Sequence, residues 1–135
     1  MKNFKSQTTN YKQTQNPNNQ KTKQYDLEPR TQKFAADCRR LLQQLPKSLS
    51  NLEDGKQLLR SSGSTGANYI EANEALSRKD FTFRIKISRK EAKESRYWLQ
   101  LIQTATSQLT SERDRLIDEA TQLIKIFTAI LENSK

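Results

Sequence analysis

Apolar residues recur at helical spacing in four separate segments of this 135-residue chain. Side chains three and four positions apart lie on one face of an α-helix, so each segment has a face to bury against another helix. The first segment begins at Asp26 or just after it, where an aspartate can cap a helix, and Pro46 ends it. Because the links between segments are short, neighbouring helices are antiparallel. We predict an all-α fold, an up-down-up-down four-helix bundle over residues 26–135.

The stretch GSTGANYIEA, residues 63–72, lies in the second predicted helix, which begins near Asn51. A phosphate-binding loop of the Walker type needs the pattern Gly-x-x-x-x-Gly-Lys-Ser/Thr after a strand, and both the lysine and the strand are missing here. Gly55, Ser62 and Gly66 instead share one helix face. The other residues on that face are Leu52, Leu58, Leu59, Tyr69, Ile70, Asn73 and Leu76. A glycine within a helix costs roughly 1 kcal/mol relative to alanine, so we expect these small residues to let another backbone approach closely.

The third and fourth helices are each predicted to begin with a serine that precedes an aspartate by three residues. Ser77 opens the third helix, which runs from about residue 78 to 107, and Ser111 opens the fourth. On a helical wheel, basic residues occupy about a third of the third helix with no acid among them. These are Arg78, Lys79, Lys86, Arg89, Lys90, Lys93 and Arg96.

The apolar part of the third helix is wider than a single bundle needs. A helix in a monomeric four-helix bundle usually buries a face of about 100°. Here one line of apolar or small residues comprises Phe81, Ile85, Ser88, Ala92, Ser95, Leu99 and Ile102, and a second comprises Phe83, Ile87, Trp98 and Leu101. We predict that the second line is an oligomer interface, against another copy of the chain.

The charge balance favours a polyanionic partner. The chain has 24 Lys and Arg against 15 Asp and Glu, a formal net charge of +9. Residues 1–25 are rich in Gln and Asn and carry several lysines, so we predict a disordered basic tail, which either follows a phosphate backbone or only adds solubility.

The basic residues of the third helix are the candidate nucleic-acid site. We predict that they bind phosphates by charge, with little sequence specificity and with RNA as the favoured partner. The residues assigned to this site are Lys79, Lys86, Arg89, Lys90, Lys93 and Arg96. A solvated helix face is the simpler interpretation of the same pattern. In that case the protein is an interaction scaffold without a direct nucleic-acid role.

Residue types argue against most enzymatic chemistry. Histidine is absent, which excludes Ser-His-Asp and Cys-His systems and the HExxH zinc motif. Cys38 is the only cysteine and lies on an apolar stripe, so we predict a core residue. We expect a non-enzymatic protein with no catalytic residues, no metal and no cofactor. The sequence has no run of about 18 apolar residues and no signal peptide, so we expect a cytoplasmic protein with no membrane partner.

Carboxylates on the third helix are the one pattern that could serve general acid or base catalysis. Asp80, Glu91 and Glu94 lie near its second apolar line. We predict that Arg84 or Arg60 binds them in ion pairs, which makes a structural role the favoured one.

Four stretches of the sequence carry a family resemblance: YDLEPRTQKFA, LLRSSGSTGANYIEA, SRKDFTFRIKISRKEAKESRYWLQLI and LIKIFTAIL. Across about residues 25 to 135 the chain resembles the bacterial four-helix-bundle proteins encoded within 23S rRNA intervening sequences. The resemblance implies a four-helix bundle that assembles as a homopentamer, with no established catalytic activity. It also implies a distant similarity to the accessory protein of diversity-generating retroelements, a pentameric barrel that binds nucleic acid and a reverse transcriptase. The resemblance therefore implies a reverse transcriptase as a protein partner.

Overall fold

The computed structural model describes residues 27–135, which form four α-helices joined by short turns. The helices are α1 (Leu27–Gln44), α2 (Leu49–Asn73), α3 (Arg78–Leu101) and α4 (Ser107–Asn133). Helices adjacent in sequence pack against one another, and α1 also packs against α4, which closes the bundle. The all-α four-helix prediction is confirmed. The predicted tail and the predicted cap at Asp26 lie outside the described residues.

Hydroxyl side chains cap the three internal helix starts. Ser48 accepts a hydrogen bond from the Asn51 backbone N–H, and Ser77 accepts one from that of Asp80, as predicted for α3. Helix α2 was predicted to begin near Asn51, and the Ser48 cap places its first residue two positions earlier, at Leu49. Likewise Thr106 caps α4, so that helix begins at Ser107, and the predicted start at Ser111 was wrong.

The predicted end of α3 near residue 107 was also wrong, because α3 ends at Leu101. A buried amide explains the early end. Asn51 at the start of α2 donates from Nδ2 to the Gln103 carbonyl over 2.9 Å and accepts from the Gln103 N–H over 2.9 Å. These bonds satisfy the backbone of Gln103 outside any helix, so the chain turns there.

The core lies between the four helices. Phe34, Phe81 and Phe127 are its largest fully buried side chains. Cys38 is buried among them, which confirms the predicted core cysteine, and burial raises the pKa of its thiol to about 12. That thiol stays protonated and unreactive at neutral pH.

Small residues bring α2 close to its neighbours, as predicted. A Cβ on Gly66 would lie 2.7 Å from Thr31 Oγ1 of α1, and one on Gly55 would lie 3.2 Å from Leu42. On the α3 side, Ser61 Oγ and Ser95 Oγ lie 2.8 Å apart. The half-buried Asn73 donates to Glu28 Oε2 over 2.8 Å, which joins α2 to the start of α1.

Part of the predicted core face of α2 is exposed. Leu52, Leu59, Ile70 and Leu76 all show at least 41% of their surface. The reason is geometric: α1 packs along the line of Gly55, Ser62 and Gly66, and the leucines and Ile70 lie farther round the helix or beyond its end. The face predicted from the helical wheel was therefore too wide.

Candidate nucleic-acid interface

Helix α3 presents one buried side to the bundle and one side to solvent. The first predicted apolar line is buried throughout, from Phe81 to Ile102. The six predicted basic residues lie on the opposite side of this uninterrupted helix. Lys79, Lys86, Lys90 and Lys93 are exposed, whereas Arg89 and Arg96 are half-buried. We call these six residues the basic stripe.

The two arginines of the basic stripe are anchored on α4. Arg89 Nη1 donates to Thr128 Oγ1, and Arg96 Nη1 donates to Thr121 Oγ1, each over 3.2 Å. The two arginines are seven residues apart on α3, and their threonine partners are seven residues apart on α4, which is about two helical turns in each case. Because a guanidinium has five N–H donors, each arginine keeps donors for an anionic ligand while its position is fixed.

Three lysines of the basic stripe are free of ion pairs within residues 27–135. Lys79, Lys86 and Lys93 follow one another at intervals of seven residues, so they form a line with a spacing of about 10.5 Å along the helix. Lys90 differs, because its Nζ lies 3.6 Å from Glu91 Oε2 and 3.5 Å from Glu94 Oε2. The expectation of a stripe without acids was therefore wrong at Lys90.

Two of the three α3 carboxylates, Glu91 and Glu94, are held in ion pairs with Arg60, as predicted, whereas Asp80 has no ion pair within residues 27–135. The Arg60 Nη2 lies 2.8 Å from Glu94 Oε1 and 3.2 Å from Glu91 Oε1. Glu91 is buried, and its carboxylate beside the guanidinium raises the pKa of Arg60 above its ordinary value, although desolvation opposes the shift. Arg84 instead donates to Asn68 Oδ1 over 2.9 Å. Glu91 and Glu94 therefore lie between the basic stripe, through Lys90, and α2, through Arg60.

The four predicted interface residues form an apolar edge of α3 on the same side as those acids. Phe83 is 58% exposed and Leu101 is 44% exposed, whereas Ile87 and Trp98 are half-buried. We call these four residues the α3 edge. Trp98 also has a buried indole Nε1 with no hydrogen-bond partner among the described residues.

A second apolar surface, which the sequence did not reveal, is a groove between α1 and α2. Its volume is about 660 Å³. Most of its lining is apolar or small, namely Pro29, Ala35, Ala36, Gly63, Gly66, Ala67 and Ile70, and the polar side chains of Glu28, Thr31, Gln32 and Arg39 also line it. We call it the α1–α2 groove. The sequence signal was the pairing of Ala35 and Ala36 in α1 with small residues of α2, which leaves space between the two helices.

Tyr97 is an exposed aromatic residue that sequence reasoning missed. It is 54% exposed and follows Lys93 by four residues, so its ring lies on the same face as the basic stripe. Its ring meets that of Trp98 edge-on, with the centroids 4.9 Å apart and the planes at 74°. The sequence did contain the indication, because Tyr97 lies at helical spacing from the lysines of the basic stripe.

Neither a metal cluster nor a membrane-spanning helix is found in residues 27–135. No group of three or more His, Cys, Asp or Glu side chains there could hold an ion. No helix in that range has the length and apolar character needed to cross a bilayer.

Comparison with known proteins places the chain in a family. A family model described as 23S rRNA-intervening sequence protein matches residues 23–129. Among solved structures, the chain is similar to a protein of unknown function from the S23 ribosomal protein family of Bacteroides thetaiotaomicron VPI-5482. The two share 30% sequence identity and a TM-score of 0.68, over 78% of this chain and 97% of that chain. No curated protein matches the sequence. With more than half of its length matched, the chain belongs to the family of 23S rRNA-intervening sequence proteins.

Proposed function

We propose that this protein is a non-enzymatic, oligomeric four-helix bundle that binds nucleic acid, with RNA as the favoured partner, through the basic stripe of α3. The observation that carries the proposal is the line of Lys79, Lys86 and Lys93, exposed and without ion pairs within residues 27–135. Two anchored arginines lie beside this line. The family description, which refers to an intervening sequence of 23S rRNA, supports RNA over DNA.

Binding through these side chains is electrostatic. Lysine and arginine that neutralise phosphates release condensed counterions, so affinity falls as the salt concentration rises. Contacts to phosphates position a ligand but carry little sequence information. The basic stripe therefore recognises backbone shape and charge.

In an oligomer every copy contributes its own basic stripe, and the α3 edge provides a surface through which copies can associate. Phe83 and Leu101 expose large apolar surfaces next to the half-buried Ile87 and Trp98, and a second copy of the chain would bury them. The surface that receives this edge is the α1–α2 groove of a neighbouring copy, which is apolar and open. Because the two surfaces differ, each copy has one groove and one edge, and such contacts close into a ring where the rotation between neighbouring copies permits it. The family resemblance implies that this ring is a homopentamer.

The second candidate function is a protein-interaction scaffold, or an accessory subunit for a protein such as a reverse transcriptase. The observation that favours it is the α1–α2 groove itself, because an apolar groove between two helices fits an amphipathic helix of another protein. In this case the basic stripe serves solubility alone.

Fluorescence anisotropy of labelled structured RNA across a salt series tests the proposal. Wild-type protein should bind with an affinity that falls steeply with salt, and the variant with Arg89, Lys90 and Lys93 all changed to alanine should bind more weakly with a smaller slope. Binding that the triple variant leaves unchanged, or no binding at low salt, would favour the scaffold function.

A further inference from the structure

We propose that Tyr97 stacks on an unpaired base of the bound nucleic acid, so that the basic stripe binds single-stranded segments more tightly than strands that lack bases. This inference rests on the proposed nucleic-acid function and specifies its ligand. The preferred ligand is a loop, bulge or single strand whose bases are free to leave their own stack.

The position of Tyr97 on α3 supports this assignment. It follows Lys79 by eighteen residues, which is five full helical turns, and it follows Lys93 by four. Its ring therefore lies along the line of lysines. The other large exposed apolar side chains of residues 27–135 lie on α2, on the turn after it or on the α3 edge.

The ring of Tyr97 is supported on one side. Trp98 meets it edge-on with a centroid separation of 4.9 Å, a geometry that aromatic pairs prefer. About half of the side chain remains in contact with solvent. A tyrosine has only two side-chain torsions, so a ring held in this way loses little entropy when a base stacks on it.

Charge and ring together define the class of ligand. Proteins that bind single strands pair a basic groove for the backbone with aromatic side chains for the bases, and every base offers a face for stacking. In a duplex these faces are covered by neighbouring base pairs. Single-stranded loops and bulges, which protein aromatic side chains commonly recognise in RNA, leave them open.

A comparison of two strands of equal charge isolates the contribution of the bases. The probes are a fluorescently labelled single-stranded oligoadenylate and an abasic strand of the same length, both titrated by anisotropy at one salt concentration. Wild-type protein should bind the oligoadenylate about tenfold more tightly than the abasic strand. Tyr97→Leu should reduce this ratio to about one without changing the affinity for the abasic strand, because stacking and phosphate binding are separate terms.

Two further variants serve as matched controls. Tyr97→Phe keeps the ring and should keep the ratio. The triple alanine variant at Arg89, Lys90 and Lys93 should bind both probes more weakly and preserve the ratio. In addition, Trp98 is the only tryptophan of the chain, so its fluorescence should respond to oligoadenylate more than to the abasic strand.

The outcomes separate the two proposals. Equal wild-type affinity for both probes, or a ratio that survives Tyr97→Leu, would overturn the role of Tyr97 and leave phosphate binding intact. Failure to bind either probe at low salt would overturn both proposals together.

Discussion

Arg115 of α4 donates from Nη2 to Oδ2 of Asp37 in α1 over 2.8 Å. Asp37 is 4% exposed, and Lys33 and Arg40 of its own helix also bind it. A buried carboxylate with three cationic partners fixes the position of α1 against α4, where the two helices otherwise share few contacts. A second link lies along the same pair of helices, because Arg30 binds Glu119 through two hydrogen bonds of 2.7 and 2.8 Å.

Asp37→Asn should lower the free energy of unfolding by about 1–3 kcal/mol, because charged hydrogen bonds are lost in a buried place. The cost is limited because Arg115 is half-exposed and regains water. Urea denaturation followed by circular dichroism measures the change. Glu132→Gln is the matched control, since its pair with Lys135 is exposed and should contribute about 0–1 kcal/mol. Equal effects at both sites would contradict the assigned role of Asp37.

Acid should destabilise the protein through the same group. Burial tends to raise the pKa of Asp37, but hydrogen bonds from Lys33, Arg115 and Arg40 outweigh it and lower the pKa below its ordinary value. A carboxylate with a depressed folded-state pKa stabilises the fold above its unfolded pKa of about 4, and that stability is lost as the pH falls through the lower folded-state value. Thermal melts from pH 7 to pH 3 should show a steeper loss for wild type than for Asp37→Asn. Parallel pH profiles would contradict this.

Replacing each of two glycines, three residues apart in α2, with alanine should change the free energy of unfolding in opposite directions. Gly66→Ala should destabilise the fold by about 1–3 kcal/mol, because the new Cβ would meet the buried Thr31 hydroxyl at 2.7 Å. Gly63→Ala meets only the flexible end of Arg39, at 3.4 Å, so the gain in helix propensity should stabilise by about 0.5–1 kcal/mol. Chemical denaturation of the two variants checks both signs. A stabilising Gly66→Ala would mean that α1 and α2 do not pack as closely as described.

Mixing two association-deficient variants should restore assembly. One variant carries Phe83→Asp and Leu101→Asp on the α3 edge, and the other carries Ala67→Asp and Ile70→Asp in the α1–α2 groove. All four side chains are exposed, so neither variant should unfold. Each variant alone should have the mass of one chain by light scattering, because one of the two required surfaces is lost in every copy.

An equimolar mixture should form a particle of two chains, because the intact groove of one variant can receive the intact edge of the other. Absence of such a particle, while wild type is oligomeric, would show that the groove and edge do not pair. A groove variant with the wild-type mass would leave the groove free for a partner protein.

Individual lysines of the basic stripe should differ in their effect on RNA binding. Lys93→Ala should reduce the slope of log affinity against log salt by about 1. Lys90→Ala should reduce it less, because Glu91 and Glu94 already neutralise part of its charge. Glu94→Gln should strengthen binding for the same reason. Identical slopes for the two lysine variants in the anisotropy assay would contradict a role for these carboxylates.

The bundle could be predicted from the sequence because its signals are local. The apolar line from Phe81 to Ile102 and the cap at Ser77 depend on residues within one helix, and both are confirmed. The end of α3 could not be predicted, because it depends on Asn51, which lies 52 positions from Gln103 in the sequence. The start of α4 was misplaced for a different reason: Ser111 and Asp114 resemble a capping box, but the cap is Thr106, five residues earlier, which accepts a hydrogen bond from the Leu109 N–H.

The candidate site was predicted in part. Spacing on one helix placed the six basic residues on one face, where the four lysines are exposed and Arg89 and Arg96 are half-buried against α4. The helical wheel could not show that Glu94 reaches Lys90, or that Thr121 and Thr128 hold the arginines, because side-chain reach and contacts with another helix decide those positions. Tyr97 was missed because the search followed charge. The α1–α2 groove was missed because the width of an apolar face does not reveal how much of it a neighbouring helix covers.

The amide of Asn51 has a consequence for how the bundle opens. It joins the first turn of α2 to the turn between α3 and α4, and it also donates to the Pro46 carbonyl over 3.0 Å. One side chain thus connects the two loops at this end of the bundle. Fraying of α2 from its start would expose the backbone of Gln103 at the same moment, so these segments open as one cooperative unit, although they are distant in the chain.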